Sequence, residues 1–271
     1  MAASTLLYQS DRWNKDHLFL YDACIQVNDA DIKVACIERS NKKAGLILSF
    51  PVEQAYIKEQ AILPLNAKLD EILTEISGVH RFYVLINSPV HTLIPEVFFE
   101  KDHAFALLNA ANELTEADEI LFNKITSHQA VLTFPLNKYI HSLFNSKLRS
   151  PVVVHNTAAL MQYFHLQTQH RLNVYVGNGF ITLFFYKNGQ PECINSFEAE
   201  TENDALYFVL ATFEEFGLTA EEPVMLYGDA DEKSLLFLLL KKYIRTVNIA
   251  DTSDLNCAPA LLPLIMASQC E

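Results

Sequence analysis

Residues 172–198 read LNVYVGNGFITLFFYKNGQPECINSFE, and this stretch decides the fold. It holds three segments rich in β-branched and aromatic residues, joined by short links that contain glycine and asparagine, as hairpin turns do. The segments are predicted to be the strands Leu172–Val176, Ile181–Tyr186 and Glu192–Glu198, linked by Gly177–Gly179 and Lys187–Gln190. The stretch therefore predicts three successive antiparallel strands.

A helix and a further strand are predicted to follow this triplet. Thr201 has an acid, Asp204, three residues later, which is typical of a helix start. Apolar residues then recur at helical spacing as far as Gly217, which favours termination of the helix. A buried strand, Val224–Tyr227, leads into Gly228-Asp229 and a leucine-rich helix. The order of the unit is thus β-β-β-α-β-α.

The first part of the chain shows the same order. Its pattern predicts three strands, then a helical region from Glu53, and then one more buried strand. The four predicted strands are Leu18–Val27, Ile32–Glu38, Gly45–Phe50 and Arg81–Ile86. The repeat of this order predicts an α/β protein made of two ribonuclease-H-like subdomains.

Two domains are predicted on this basis. Residues 1–170 form the first and carry an insertion at about Asn87–His170, and residues 171–271 form the second. Within the insertion, Pro95 is predicted to start a helix through Phe99, and Asn156 is predicted to cap another helix. The segment from Asn256 onwards fits neither a helix nor a strand pattern clearly.

The composition is that of a globular protein with an acidic surface. The chain has 271 residues, of which 50% are hydrophobic, and its formal net charge is −13. That charge repels a phosphate backbone, so we expect no nucleic-acid partner. The five cysteines are far apart and contain no CxxC pair, which indicates a reducing compartment.

No membrane span or leader is predicted. Charged residues interrupt the first twenty positions, as a secretory leader does not allow. The longest apolar run, Leu235–Leu240, is too short to cross a bilayer and is followed by two lysines. We therefore expect a cytoplasmic protein.

Several sequence blocks resemble a known family. RFYVLINSP at Arg81–Pro89 and TLIPEVFF at Thr92–Phe99 are similar to the bacterial domain-of-unknown-function family 3822. The segments Asn195–Phe197, Asp204–Phe208 and Leu226–Gly228 are similar to it as well. The resemblance covers nearly the whole chain. It implies an actin-like ATPase fold with no assigned activity.

In the actin-like superfamily, the hairpin between the first two strands of each subdomain usually carries an aspartate and glycines, which hold the phosphates and position Mg²⁺. In the first subdomain, the resemblance gives only Asp22 as a candidate, inside its strand and without a glycine in the turn. In the second, Gly177-Asn178-Gly179 has the glycines, but Asn178 stands where the acid is expected. The alternatives are an ordinary strand residue and a tight hairpin that requires positive φ.

The adenine-binding turn of the superfamily corresponds to Gly228-Asp229. One glycine stands there instead of a pair, and the alternative is that Asp229 caps the next helix. ATP and Mg²⁺ are therefore possible cofactors but are disfavoured. No histidine or cysteine spacing indicates a metal site, and no catalytic residue is predicted.

The sequence favours a non-catalytic binding or assembly module with degenerate nucleotide-binding loops. The alternative is a divergent ATP-binding protein, an ATPase or kinase of the actin-like superfamily. A third hypothesis is a scaffold similar to the actin-fold proteins of secretion and pilus assembly. Under the first and third hypotheses the partner is another protein, which the sequence does not identify.

Overall fold

A computed structural model describes residues 4–57, 60–110, 112–165 and 172–270 of the chain. Fourteen strands and seven α-helices lie in this part. The strands are β1 (Thr5–Gln9), β2 (Tyr21–Val27), β3 (Asp31–Glu38), β4 (Ala44–Pro51), β5 (Phe82–Ile86), β6 (Thr92–Pro95), β7 (Asp118–Ile125), β8 (Ala130–Asn137), β9 (Val152–His155), β10 (Leu172–Gly177), β11 (Phe180–Lys187), β12 (Gln190–Glu198), β13 (Val224–Gly228) and β14 (Val247–Ile249). The helices are α1 (Ile62–Ile76), α2 (Ala104–Asn109), α3 (Lys138–Lys147), α4 (Asn156–Phe164), α5 (Glu202–Glu215), α6 (Leu235–Leu240) and α7 (Leu262–Met266).

The two large sheets share one strand order. The first runs β1-β4-β3-β2-β5-β9, and the second runs β12-β11-β10-β13-β14. In each sheet the first three strands of the repeat are antiparallel, and the fourth and fifth lie parallel to the first. The predicted α/β fold of two duplicated subdomains is confirmed. Strand β1 adds one further edge to the first sheet.

Burial explains the two parallel strands at the centre of the first sheet. Every residue of β2 and β5 is buried, as expected for parallel strands that are covered on both faces. The predicted start of α5 is also confirmed: the Asp204 N–H donates to Thr201 Oγ1 at 3.2 Å, and the Thr201 N–H donates to Asp204 Oδ2 at 2.9 Å. This reciprocal pair satisfies two backbone donors at the helix start.

The inserted segment forms a small third sheet in the order β6-β8-β7. The helix predicted from Pro95 to Phe99 is wrong. Pro95 instead ends β6, where Ile94 is buried against β8, and one 3₁₀ turn, Glu96–Phe98, follows. Pairing with β8, which is more than thirty residues away, outweighs the local helix signal of the proline.

Three other boundaries differ from the sequence pattern. Residues 18–20 are not strand, because the Asn14 side chain accepts the Asp16 N–H and starts a 3₁₀ helix, Lys15–Leu20. Residues 53–57 form turns, so that the first helix begins only at Ile62. Asn156 does not cap α4, because His155 takes that position and its ring accepts the Thr157 N–H at 3.2 Å.

The C-terminal segment returns to the first subdomain. Helix α7 packs against α4 and against strands β2 and β3. All five of its residues are buried, which explains the apolar composition of a segment that the sequence leaves unassigned. The division between residues 170 and 171 separates the two large sheets but does not describe this segment, and it remains a prediction. Within the described residues, no helix combines the length and apolarity needed to span a membrane.

Candidate functional site

A cleft lies where the two subdomains meet, beside the carboxyl ends of β2, β5 and β10. Its volume is about 490 Å³. The turn after β2 contributes Asn28 and Asp29, the end of β5 contributes Asn87 and Ser88, and the β10–β11 hairpin contributes Asn178 and Gly179. Ligands of open α/β sheets usually bind outside the carboxyl ends of the strands. The cleft is therefore the candidate functional site.

The turn after β2 is held by its own polar side chains. The Asn28 carboxamide accepts from Gln26 Nε2 at 2.9 Å and donates to Asp31 Oδ1 at 2.8 Å. Ser49 donates to the other oxygen of Asp31 at 2.7 Å. Asp29 is left facing the cleft. There Asn178 Nδ2 lies 3.5 Å from Asp29 Oδ2, so the two hairpins meet across the cleft.

The β10–β11 hairpin needs its glycines for two different reasons. A Cβ at Gly177 would lie 2.5 Å from the Phe180 ring, so glycine lets this ring fold back over the hairpin. Gly179 has a φ of +77° with open space around it, so conformation alone selects glycine there. Phe180 also lines the cleft. Both glycines therefore have structural roles, and Gly179 is the one that lies on the cleft surface.

The charged side chains that line the cleft are all acidic among the described residues. Four carboxylates line it, from Asp29, Asp118, Glu198 and Glu200, and no lysine, arginine or histidine does so among the described residues. Five carboxamide residues also line it, namely Asn28, Gln60, Asn87, Asn137 and Asn178. Asp118 is occupied locally, because it accepts the backbone N–H of Thr115 at 2.8 Å. A lining of carboxylates with no cationic side chain among the described residues is unfavourable for a polyphosphate.

Asp22, the residue first considered for a metal, lies elsewhere. It stands at the amino end of β2, roughly 20 Å along the strand from the cleft turn. Its side chain is buried and pairs with His80 Nδ1 at 3.0 Å, and Lys42 Nζ lies 4.0 Å away. Asp22 therefore belongs to a polar cluster at the end of β2 that is opposite the cleft.

Gly228 and Asp229 end β13 without lining the cleft. Gly228 has a φ of +84°, and the Asp229 N–H donates to the Val176 carbonyl at 2.9 Å. Asp229 is not a helix cap, because Ser234 caps α6 and accepts the Phe237 N–H. The pKa of the Tyr175 phenol is raised, mainly by burial and secondly by the negative charge of Asp229. These two residues join β13 to β10 rather than form a second wall of the cleft.

The sequence pattern missed Asp29, which stands on the first hairpin opposite Asn178. The signal was present, since the turn Asn28–Asp31 occupies the same position in the first unit as Gly177–Gly179 does in the second. Asn87 and Asn137 were missed as well. Asn87 Oδ1 and Asn137 Nδ2 are buried and have no hydrogen-bond partner within the described part of the chain, although both residues line the cleft. Only the folded chain brings the ends of β5 and β8 to the same place.

ATP with Mg²⁺ does not fit these residues well. Asp29 can supply one carboxylate, but its turn has no glycine, and Asn178 occupies the position of the second acid. No lysine or arginine lines the described walls of the cleft to neutralise phosphate charge. Among the described residues, no group of three or more histidine, cysteine or carboxylate side chains is placed to hold a metal ion.

Two neighbouring histidines are withdrawn from solvent: His155 is buried, and His91 is partly buried with its Nδ1 3.2 Å from the carbonyl of Pro89, a residue that lines the cleft. The ring of His155 at the end of β9 is 5.1 Å from that of His91 and 5.0 Å from that of Phe134, measured between centroids. His155 Nδ1 accepts the Thr157 N–H, so that the neutral ring carries its proton on Nε2. Burial lowers the pKa of His91 to about 4. Burial first and the charge of His91 second lower the pKa of His155 well below its ordinary value.

We expect the stability of the protein to fall as the pH decreases from about 6.5 to about 4. In this window the unfolded chain binds protons at His91 and His155, whereas the folded chain does not. The free energy of unfolding therefore drops by up to about 1.4 kcal/mol per pH unit for each histidine. The measurement is urea unfolding at several pH values. The His155→Asn variant keeps a capping acceptor at the start of α4. In this variant the pH dependence of the free energy of unfolding should correspond to about one fewer proton taken up on unfolding. An unchanged pH dependence would show that His155 is not one of the histidines that stay neutral in the folded chain.

Solved structures share this fold. A protein of Bacteroides thetaiotaomicron with an actin-like ATPase fold and unknown function is 20% identical, with a TM-score of 0.79 over 94% of this chain and 98% of that one. A chain of the PilM–PilN type IV pilus biogenesis complex is 14% identical, with a TM-score of 0.58 over 92% and 98% of the two chains. The cytoplasmic domain of EpsL, an inner membrane component of the type II secretion system of Vibrio cholerae, is 11% identical, with a TM-score of 0.50 over 92% and 94%.

These likenesses show the fold, which is that of the actin-like ATPases, and they do not extend to an activity. No curated protein sequence matches the chain. The family described as "Protein of unknown function (DUF3822)" matches residues 10–247, which confirms the resemblance carried by the blocks at Arg81–Pro89 and Thr92–Phe99. The chain belongs to the DUF3822 family and has an actin-like ATPase fold.

Proposed function

We propose that the protein is a non-catalytic binding or assembly module of the cytoplasm, with degenerate nucleotide-binding loops. The observation that carries this proposal is the charge of the cleft, which four carboxylates line without a lysine, arginine or histidine among the described lining residues. Phosphoryl transfer depends on positioned positive charge around the phosphates. The walls of this cleft supply the opposite sign.

The arrangement of the hairpins supports the same conclusion. The amide of Asn178 reaches across to Asp29, so the acid of the first hairpin that faces the cleft already has a donor from the second hairpin. A non-catalytic role in assembly is also compatible with the fold, since one similar chain is found in the PilM–PilN pilus biogenesis complex and another is a domain of a secretion-system component. We therefore propose a protein partner rather than a nucleotide substrate. The five free cysteines, two of them buried, support a reducing compartment.

The test is phosphate release and calorimetric titration with ATP and Mg²⁺. We expect no hydrolysis above the protein-free baseline and no measurable heat of binding at millimolar nucleotide. Turnover that is lost in Asp29→Asn but kept in Asp22→Asn would contradict the proposal. It would support the alternative of a divergent ATPase, because Asp29 lines the cleft and Asp22 does not. The Asp22→Asn variant serves as the matched control, since Asp22 lies at the other end of β2.

A further inference from the structure

Strand β7 forms a free edge of the small sheet, and the direction of its outer backbone groups follows from two prolines. Ile120 lies opposite Pro135 of β8, and Pro135 has no N–H, so this pair is of the kind that exchanges no hydrogen bonds. On the other side of β8, Pro95 lies opposite Ala130, which agrees with the same alternation. Ile120 and Phe122 therefore direct their N–H and C=O groups away from β8.

These outer groups have almost no partners. In the part of the chain that the structure describes, Ile120 makes no further backbone or side-chain hydrogen bond, and the Phe122 carbonyl receives only a long contact of 3.4 Å from Asn123 Nδ2. A row of free N–H and C=O groups on a sheet edge is a template for another strand. The edge is not blocked by a proline, because the prolines of this sheet lie on β6 and β8.

A groove runs beside this edge. It has a volume of about 380 Å³, and its other wall is the start of β9, which is itself an edge strand of the first sheet. Its apolar lining includes Leu121, Phe122, Val152 and Val153. Its width is set at one end by Asn123, whose carboxamide donates to the Val153 carbonyl at 2.8 Å and accepts the His155 N–H at 2.8 Å. The Asn123 amide thus fills the place of a peptide group between two strands.

Exposed aromatic residues extend the apolar surface beyond the groove. Phe122 is 47% exposed, and its ring lies 5.5 Å from that of Phe99, between centroids. Lys101 Nζ lies 5.9 Å from the Phe122 ring. The acid in the groove, Glu119, is paired with His141 at 2.8 Å. Unlike the acidic cleft, this groove presents apolar and backbone groups with little unpaired charge.

We propose that the free edge of β7 binds an extended, apolar segment of a partner protein, which adds to the small sheet as a fourth strand. This inference rests on the binding function proposed above and locates its surface. Main-chain hydrogen bonds from Ile120 and Phe122 hold the segment, and its alternate side chains pack into the groove between β7 and β9.

The test uses the full-length chain and random twelve-residue peptides displayed on phage. We expect selected peptides to be rich in β-branched and aromatic residues and to protect the Ile120 and Phe122 amides from hydrogen exchange. Ile120→Pro removes one outward N–H without breaking the pairing with β8, and proline is tolerated at such edges. It should weaken peptide binding by about tenfold or more. Ile120→Val keeps the N–H and should bind as the unmodified chain does.

Three outcomes would overturn the proposal. Peptides that bind Ile120→Pro as well as the unmodified chain would show that the edge is not used, and a failure to select any peptide would do the same. Self-association of the unmodified chain that Ile120→Pro abolishes would assign the edge to a second copy instead. Melting of Ile120→Pro, compared with that of Ile120→Val, shows whether the variant is folded. The peptide experiment contains no nucleotide, so its failure would contradict only the proposed edge site. The non-catalytic role would be contradicted by ATP turnover and by no outcome of the peptide experiment.

Discussion

Replacing Gly228 with alanine is expected to lower the free energy of unfolding by about 3–5 kcal/mol. Gly228 ends β13 with a φ of +84°, and its Cα packs against the backbone of β10. A Cβ built there lies 2.1 Å from the Val176 carbonyl oxygen and 2.9 Å from the carbonyl carbon. No rotamer change relieves this clash, since both partners are main-chain atoms, so the parallel pair must separate at its carboxyl end.

Gly179→Ala is the matched control. Its φ of +77° is almost the same, but no atom lies within 4 Å of the added Cβ. We expect it to cost about 1 kcal/mol, from conformation alone. Urea unfolding measures the free energy of unfolding of both variants. The difference between their losses gives the part of the Gly228→Ala effect that comes from the close contact of β13 with β10. If the two variants lost the same stability, the packing of Gly228 on Val176 would not be the cause.

The comparison of these two glycines shows what the sequence can predict. A glycine in a turn signals positive φ, and the hairpins at Gly177–Gly179 and Asn188-Gly189 were predicted from that signal alone. The strand order of both subdomains is also predictable, because the same succession of three strands, a helix and a further buried strand occurs in each of them along the sequence. The contact between Gly228 and Val176 joins residues about fifty positions apart. Nothing local to Gly228 distinguishes it from a glycine that only turns the chain.

The candidate site was predictable in part for the same reason. The second hairpin was found because its glycines are local, but Asp22 was considered on the first strand and Asp29 was missed. The distinction depends on which end of β2 faces the other subdomain, and that is decided by the packing of the two sheets. The acidic lining likewise combines the first hairpin, β7, β12 and the segment that follows β12. The groove beside β7 requires the register of β7 with β8, which hydrophobic pattern alone does not define.

Replacing Phe164 with alanine is expected to lower the free energy of unfolding by about 3–5 kcal/mol. Phe164 ends α4, is 2% exposed and packs edge-on against Phe184 and Tyr227, each with a centroid distance of 4.8 Å. Those two rings belong to β11 and β13, whereas α4 also packs against α7 and β9. The phenyl ring therefore joins the first subdomain to the second sheet, and its loss leaves a cavity between them.

Phe98→Ala is the control, because Phe98 is an aromatic residue that is 75% exposed, and we expect a change within about 0.5 kcal/mol. Chemical unfolding is followed by far-ultraviolet circular dichroism, which reports on both subdomains, and by the fluorescence of Trp13, the single tryptophan, which packs against Tyr21 in the first subdomain. If the shared core couples the subdomains, Phe164→Ala should separate transitions that coincide in the unmodified chain. If Phe164→Ala lowered the free energy of unfolding no more than Phe98→Ala does, the two sheets would be stabilised independently. In that case the cleft between them would be set by the hairpin contact of Asn178 with Asp29 rather than by a common core.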